Sequence, residues 1–300
     1  MRHHFADFLD RNDDYWSMIP NRERFVYRIG NFLVGDDEVK VVTIGRDDKP
    51  WTNIFTFPNL EELTLHEPSF RQLEAVRDLP KLKRLRITHA RPKEISFLGN
   101  LLELEELVLE YVSGISDLGP LSKLPKLRSL HLENLRRVNN FDGLSGINSL
   151  LYLRIDGTLD WKQPIENFEF LRGLPNLEVL SFGQIINKTP YPAMLPALDL
   201  GKLKRLKLTW SMLAAEEYAL LESGLPNVEG ARWGPYTKFR IGRGHAEWFE
   251  FTGKGAGRVK CGHINAEHRC AEYASKYSLM KAEAERTISR DGCQIRIGKS

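Results

Sequence analysis

The sequence is poor in the features that mark secreted and membrane proteins. It has three cysteines, Cys261, Cys270 and Cys293, and an odd number confined to one end of the chain does not build a disulfide framework. It contains no run of about 18 apolar residues, which argues against a membrane-spanning helix. The first 16 residues include basic side chains but no continuous apolar stretch, so they do not resemble a signal peptide. These absences together predict a cytoplasmic protein.

Motifs of catalytic and cofactor-binding sites are also missing. No G-x-S-x-G or H-E-x-x-H pattern occurs, and the glycine-rich segment 253–258 lacks the order of a phosphate-binding loop and fits a hairpin turn. Cys261, His263, His268 and Cys270 are metal-ligand types, but their spacing matches none of the common zinc patterns. We therefore predict no enzyme activity, no metal and no cofactor, and we interpret these four residues as buried thiols and surface histidines.

The composition indicates a folded chain whose charge is unevenly distributed. Hydrophobic residues make up 42% and charged residues 28% of the sequence, as is typical of globular proteins. Residues 236–300 contain 13 Lys or Arg against 7 Asp or Glu, whereas the first 235 residues contain 30 against 33. A basic end can mark a nucleic-acid-binding arm. Here acidic residues interrupt the basic ones, so a nucleic-acid partner is not expected.

The most regular feature of the sequence is a recurring L-x-x-L-x-L phrase, seen most plainly as LPKLRSLHL at 124–132. Its first apolar residue recurs at intervals of 22, 22, 23, 23, 27, 26 and 25, at Leu60, Leu82, Leu104, Leu127, Leu150, Leu177, Leu203 and a degenerate Val228. A regular period in the twenties is typical of a solenoid. One repeat cannot bury its own apolar side, so the repeats must stack around a continuous core.

The repeats predict an α/β fold, a leucine-rich repeat solenoid with a curved parallel sheet. Apolar residues at every third position in 115–121 and 138–144 favour short helices or 3-10 turns on the convex side. We predict an N-terminal cap at 1–57, an array of about eight repeats at 58–235 and a small α+β cap at 236–300. These caps would cover the apolar ends of the array.

Each cap has its own local pattern. In the first, residues 5–9 suggest a short helix and 39–44 a strand, and the candidates to cover the first repeat are Trp51, Ile54, Phe55 and Phe57. In the second cap, the sequence suggests strands at 236–241, 247–252 and 258–261. After Asn265, a possible helix cap, a stripe recurs at helical spacing at Cys270, Tyr273, Tyr277, Met280, Ala284 and Ile288. We expect this stripe to pack against the sheet.

Residues between the leucines form columns along the array, because equivalent positions of parallel strands lie about 4.8 Å apart. One column begins with Glu61, Lys83 and Glu105, and the next begins with Glu62, Arg84 and Glu106. Their charges largely alternate, and opposite charges on neighbouring strands attract. We interpret both columns as aligning the stack and keeping it soluble.

The column after the third leucine differs, because Glu110, Glu133 and Asp156 place three carboxylates in adjacent repeats. Like charges directly opposite destabilise a sheet, and folding of the array gives no reason for them. Part of the repulsion would be offset by the neighbouring outward column, which includes Arg86, His131, Arg154 and Lys207. We interpret the strip as a partner-recognition surface, with a solvated face of coincidental charge as the alternative. An acid–base role of His131 is disfavoured because an open concave face does not exclude water.

The later repeats are longer, with inserts at 159–164 and 185–192 that directly follow their strands. Insertions of this kind map to one face of a solenoid, often the binding face; a neutral lengthening of a surface loop is the alternative. The complete set of predicted partner-binding residues is Arg86, Glu110, Tyr111, His131, Glu133, Tyr152, Arg154, Asp156, Lys207, Trp210, Trp161 and Tyr191.

Over residues 58–235 the phrases and their spacers resemble the short bacterial repeats of the internalin family. Repeats of that family carry Asn three residues after the last strand leucine, where its side chain satisfies backbone groups of the turn. This chain has instead Pro68, Ala90, Val112, Leu135, Thr158, Ile185 and Ser211. Internalins are exported, whereas this sequence shows no export signal, so an adhesion role is not implied.

The sequence favours a non-enzymatic scaffold that binds a specific partner protein through its concave face. In architecture it resembles immunity proteins of bacterial toxin systems, in which a repeat scaffold occludes a cognate toxin, and the acidic strip would suit a basic toxin surface. The alternative is an effector or enzyme whose repeats recognise a target while the basic C-terminal segment acts or binds nucleic acid. Repeat-containing bacterial ubiquitin ligases carry a catalytic domain much larger than the 65 residues that follow this array.

Overall fold

The computed structural model describes residues 27–241 and 246–290, and the helix expected at 5–9 and Cys293 lie outside them. One sheet contains eight parallel strands in chain order: β1 Val41–Gly45, β2 Glu62–His66, β3 Arg84–Thr88, β4 Glu106–Glu110, β5 Ser129–Glu133, β6 Tyr152–Asp156, β8 Val179–Gly183 and β10 Arg205–Leu208. The predicted leucine-rich repeat solenoid is thereby confirmed. No helix within the described ranges is long and apolar enough to cross a membrane.

The core lies between this sheet and the convex turns. In each strand the second and fourth residues point inwards, so that Leu130 and Leu132 of β5 are 0% and 1% exposed. The predicted convex 3-10 turns are present as Val76–Asp78, Ser96–Asn100, Gly119–Lys123, Asp142–Leu144, Glu169–Gly173 and Leu195–Asp199, and the first follows a short helix, α1, at Phe70–Ala75. Their apolar residues, such as Leu98 and Leu121, are buried against the strand leucines.

The chain turns away from the sheet at the same point in several repeats. The residue after each of five strands has a positive φ although none is glycine: Glu67, His89, Tyr111, Asn134 and Gln184. The backbone N–H of His89 donates to the carbonyl of Glu110 at 3.0 Å, and that of Tyr111 donates to Glu133 at 2.9 Å. The parallel ladder therefore continues one residue beyond the strands, which fixes the positions of side chains along this edge.

Buried side chains from elsewhere in the chain bond backbone groups of several turns. Gln163 accepts from the N–H of Leu135 at 2.9 Å and donates to the carbonyl of Val138 at 2.7 Å. Glu217 accepts from the N–H groups of Ala193 at 2.8 Å and Met194 at 3.0 Å. Buried backbone groups must be paired. At Leu135, one of the positions without the expected asparagine, Gln163 thus pairs the backbone groups of the turn.

The two inserts form a second small sheet, in which β7 (Gln163–Ile165) pairs in parallel with β9 (Ile185–Asn187). At the N-terminal end, β1 extends the main sheet. Ile54 and Phe57 are buried there, as predicted, whereas Phe55 is 46% exposed and places its ring edge-on to Trp51. The sequence had assigned Phe55 to the core incorrectly, because the 3-10 helix Lys49–Thr56 turns that side chain outwards.

The C-terminal residues form an antiparallel sheet and a long helix. The strands are β11 Tyr236–Ile241, β12 Ala246–Phe251 and β13 Arg258–Lys260; the helices are α2 Ala215–Gly224 and α3 Ala266–Arg290. The predicted apolar stripe of α3 is buried at Cys270, Tyr277, Ala284 and Ile288. Its first part packs against the small sheet, and its last part joins the solenoid core. The Tyr277 hydroxyl also donates to the Glu222 carboxylate of α2 at 3.0 Å.

Replacement of Gln163 by Leu should destabilise the fold by about 1–3 kcal/mol, because it removes the partners of the Leu135 N–H and the Val138 carbonyl. The measurement is the free energy of unfolding in urea. Lys162→Leu alters the neighbouring exposed residue and should change stability by less than about 0.5 kcal/mol. Equal effects of the two variants would contradict this role of Gln163.

Candidate partner-binding site

The strand register brings the predicted acidic strip together on the concave face. Glu110 lies opposite Glu133, and Glu133 lies opposite Asp156. The first, third and fifth residues of each strand share this face, because side chains alternate along a strand. The outward column of Arg86, His131 and Arg154 therefore lies beside the strip.

Two carboxylates of the strip, Glu110 and Asp156, form ion pairs with arginines. Arg86 donates to the Glu110 carboxylate from Nε at 2.9 Å and from Nη2 at 2.6 Å, with 2% of the Arg86 side chain exposed. Arg154 donates to Asp156 at 2.6 Å. A buried guanidinium needs its counter-charge. The expectation that folding does not require the strip was therefore wrong for Glu110, because this carboxylate neutralises Arg86.

Burial further reduces the charge at the centre of the face. His131 is 1% exposed, and burial, helped by the nearby Arg154, lowers its pKa to about 3. Burial also raises the pKa of Glu133, against the effect of Arg154. The His131 Nε2 lies 3.6 Å from the Glu133 carboxylate, but with a neutral imidazole at pH 7 the two do not form an ion pair. The centre of the face is thus less charged than its sequence suggests.

A second concave column departs from its predicted role in solubility. Glu62 is 0% exposed and Glu106 4% exposed, with Arg84 between them on β3. Burial raises the pKa of Glu106 to about 7, although Arg84, whose Nε lies 3.4 Å away, opposes the shift. The column starting at Glu61 does form the expected ion pairs between repeats, with Lys83 3.1 Å from Glu61.

The buried pair can be tested by replacing Glu110 with Ala, which leaves the Arg86 cation buried without its acceptor. We expect a loss of about 3–5 kcal/mol of unfolding free energy. In the matched variant Glu105→Ala, the pair with Arg128 is exposed and 3.8 Å long, so the loss should be at most about 1 kcal/mol. Urea denaturation of both variants measures the difference, and a near-neutral Glu110→Ala would show that the pair is dispensable.

The raised pKa of Glu106 predicts a pH-dependent stability. Between its ordinary value of 4.5 and about 7, the folded state binds more protons at this carboxyl than the unfolded state does. Its contribution is therefore fully present below pH 4.5 and is lost as the pH rises through 7. The variant Glu106→Gln imitates the protonated group. Its unfolding free energy relative to that of wild type should therefore be more favourable at pH 8 than at pH 4.5.

Urea unfolding of wild type and Glu106→Gln at several pH values measures this difference. Glu178→Gln provides the control, since it alters a partly exposed carboxylate in the outer ion pair with Lys204. A stability difference between wild type and Glu106→Gln that stays constant from pH 4.5 to 8 would contradict the assignment.

A hollow of about 700 Å³ opens where β2 to β5 end. We call it the rim hollow; its lining includes Arg46, Phe70, His89, Arg91, Tyr111 and Arg136. The rings of His89 and Tyr111 are stacked 4.7 Å apart with planes 4° from parallel, and Phe70 is 68% exposed. Left-handed backbone at His89 and Tyr111 is unfavourable for residues with a Cβ. The ladder hydrogen bonds hold both rings in this exposed position.

A second hollow, of about 470 Å³, opens on the concave face towards the other end of the array. We call it the concave hollow; Arg154, Asp156, Lys207 and the small residues Ser181 and Gly183 line it. It exists because these small residues stand where neighbouring strands carry larger side chains. Both hollows lie along the carboxyl ends of the strands.

The structure separates the predicted binding residues into distinct groups. Tyr111 lines the rim hollow, whereas the concave hollow contains Arg154, Asp156 and Lys207. The buried members are Arg86, Glu110 and His131, and the half-buried ones on the same face are Glu133 and Tyr152. Buried side chains can act on a partner only through the residues that they position. A role in partner binding stays a prediction for all of these residues.

The remaining predicted residues lie farther from the concave face. Trp161 is half-buried beside the rim hollow, with the Arg136 guanidinium 5.9 Å from its ring centre. Tyr191 and Trp210 pack against the solenoid core, and burial raises the pKa of Tyr191. Phe70 was missed because it lies in α1, outside the strand positions from which the binding residues were predicted; its signal is a large apolar residue directly after Ser69, which caps α1.

The residues of metal-ligand type do not converge. Within the described ranges, no group of three or more His, Cys, Asp or Glu side chains is placed to hold a metal ion. Cys270 is buried among Phe251, Val259 and Ala266, and burial raises its pKa. His263 and His268 are exposed. The buried thiol of Cys270 thus serves packing between α3 and the small sheet, whereas Cys261 is half-buried, so its prediction as a buried thiol was wrong.

Comparisons with known proteins find solved structures that are similar in fold at low sequence identity. No family model matches the chain, and no curated protein matches it. An internalin C2 of Listeria monocytogenes is 22% identical with a TM-score of 0.41, over 56% of this chain and 66% of that one. An internalin, inlF, of the same species is 22% identical with a TM-score of 0.39, over 64% of this chain and 59% of that one.

A complex of Rad7 and Elc1 from yeast is similar at 18% identity and a TM-score of 0.38, over 64% of this chain and 62% of that one. This chain thus spans less than two thirds of the length of each of these structures. No functional conclusion follows from likenesses at this level. The fold is a leucine-rich repeat solenoid, and its function must be argued from its own surfaces.

Proposed function

We propose that this protein is a non-enzymatic scaffold that binds a specific partner protein along the carboxyl ends of its strands. The observation that carries the proposal is the exposed aromatic group of Phe70, His89 and Tyr111 in the rim hollow. Aromatic and arginine side chains dominate the energetic centres of protein interfaces. Arg46, Arg91 and Arg136 surround these rings, so the hollow has the composition of such a centre.

The solenoid supplies a rigid support for this group. The N–H of His89 and that of Tyr111 are each held by the next repeat, and the leucine core lies directly behind. Rings that are already fixed lose little conformational entropy on binding, which favours affinity. The buried Arg86–Glu110 pair lies on the strands that end at this hollow.

The charges suggest the chemistry of the partner surface. Three arginines and one carboxylate, Glu67, line the rim hollow, so it complements an acidic segment. The half-buried Glu133 and Asp156 lie nearby on the concave face and would face basic groups of the same partner. A partner with both acidic and basic groups would match the rim hollow and the concave face, whereas a uniformly basic partner would match only the concave face.

We propose further that the partner is a bacterial toxin and that this chain is its cytoplasmic immunity protein. A rigid surface with fixed aromatic rings suits tight occlusion of one cognate protein. The test is co-expression with the product of the adjacent gene: the scaffold should restore growth and co-purify with that product. Growth inhibition that persists despite abundant folded scaffold would rule out immunity while leaving partner binding open.

The rim hollow is tested by Tyr111→Ala and Phe70→Ser. Each should weaken capture of the partner at least tenfold, because each removes an exposed aromatic contact from the proposed centre of the interface. The measurement is the dissociation constant of the partner recovered from native lysate with the wild-type protein.

Leu102→Ser is the matched control, since Leu102 is 54% exposed and lies before β4, at the opposite edge of the sheet. Thermal unfolding of each variant checks that the fold is retained. Rim variants that bind like wild type, or a control that loses as much affinity, would contradict the proposed surface.

A further inference from the structure

The small C-terminal sheet has two unlike faces. The part of its inner face that packs against α3 is apolar: Phe251 and Val259 are buried with Ala266 and Cys270 of α3, and Tyr236 packs against them. The outer face carries the alternate residues of the same strands, because side chains alternate along a strand. On that face Phe239 of β11 lies opposite Trp248 of β12, and Trp248 lies opposite Lys260 of β13.

The two aromatic side chains of the outer face take part in no core formed by the residues that the structure describes. Phe239 and Trp248 belong to neither of the two hydrophobic clusters formed by the described residues, and both are half-buried. Structural aromatic residues in a cap this small would be expected on the face that packs against α3. Their position on the other face requires a different explanation.

Two cations lie beside these rings. The Arg258 guanidinium is 4.9 Å and the Lys260 ammonium 5.4 Å from the centre of the Trp248 ring, and both residues are exposed. One acidic residue, the half-buried Glu250, lies opposite Arg258 on the same face. The cation–π contacts hold positive charge at the sheet surface, next to the rings.

We propose that this outer face binds single-stranded nucleic acid. Aromatic rings on neighbouring strands can stack on successive bases, and cations beside them can contact the phosphates, as in sequence-tolerant single-strand binding. In the sequence, residues 236–300 carry 13 basic against 7 acidic side chains that are interspersed, but the sheet brings Arg258 and Lys260 together on this face. Positive charge attracts any anionic ligand, but the two flat rings side by side favour a nucleic acid over an acidic peptide, because only the former has bases to stack on them.

This inference is independent of the proposed partner-binding rim. It assigns the basic end of the chain a second ligand, so the solenoid would hold a protein partner while the cap contacts RNA or single-stranded DNA. The unpaired bases of a single strand are required, because the rings cannot reach bases that are stacked inside a duplex.

The experiment is fluorescence anisotropy of the full-length protein with a labelled 12-nucleotide RNA of mixed sequence, the matching DNA strand and the duplex. We expect binding of at least one single strand at 50 mM salt and weaker binding of the duplex. Trp248→Ala and Phe239→Ala should each reduce the affinity about tenfold. The double variant Arg258→Gln, Lys260→Gln should reduce the slope of log affinity against log salt by about 1.4.

Phe55→Ala is the matched control, because Phe55 is an exposed aromatic residue at the other end of the molecule; its affinity should equal that of wild type. Circular dichroism of each variant verifies folding, and the charge variant serves if an aromatic replacement unfolds the cap. The proposal would be overturned by absent single-strand binding, by equal duplex binding, or by folded aromatic variants that bind like wild type while the charge variant loses affinity. Loss of protein-partner capture by Trp248→Ala, without nucleic-acid binding, would identify the face as a protein interface instead.

Discussion

The parallel register of the main sheet is the constraint on which the rest of this structure depends. Stacking at about 4.8 Å aligns each residue with its equivalent in the next repeat. The leucines thereby form one continuous core. A charged residue that occupies the same position in successive repeats lies next to its equivalent in the neighbouring repeat. A solenoid must therefore solve an electrostatic problem that a protein without repeats does not have. Here the solution is the diagonal contact between Arg86 and Glu110 and the contact between Arg154 and Asp156.

Those contacts show that some charged residues of the concave face have a structural role. A buried ion pair contributes little net stability relative to an apolar replacement, but it is costly to break. Arg86 and Glu110 thus fix the stacking of β3 on β4, while neutral His131 continues the column without adding charge. The concave face around these residues is therefore rigid and carries little net charge. In the proposed function, the accessible rings and guanidinium groups of the edge therefore make the main contacts with the partner, and Glu133 and Asp156 add charge beside them.

The sequence was sufficient to predict the repeats, the core leucines, the convex turns and the stripe of α3, because each depends on local periodicity. It also aligned Glu110, Glu133 and Asp156 correctly, since register follows from the spacing of the phrases. It could not predict which of these side chains would be buried, because burial of Glu62 or Arg86 depends on neighbours from several repeats. The exposed position of Phe70 and the outward Phe239–Trp248 pair likewise arise only when the elements are assembled.

The left-handed residues at the ends of the strands have a broader consequence. Their conformation is set by backbone hydrogen bonds to the next repeat, as at His89 and Tyr111, and no leucine depends on which side chain they carry. The edge can therefore change its chemistry one repeat at a time while the scaffold is retained. Because the border is separate from the leucine core, a new side chain at the edge changes the surface without requiring a new fold.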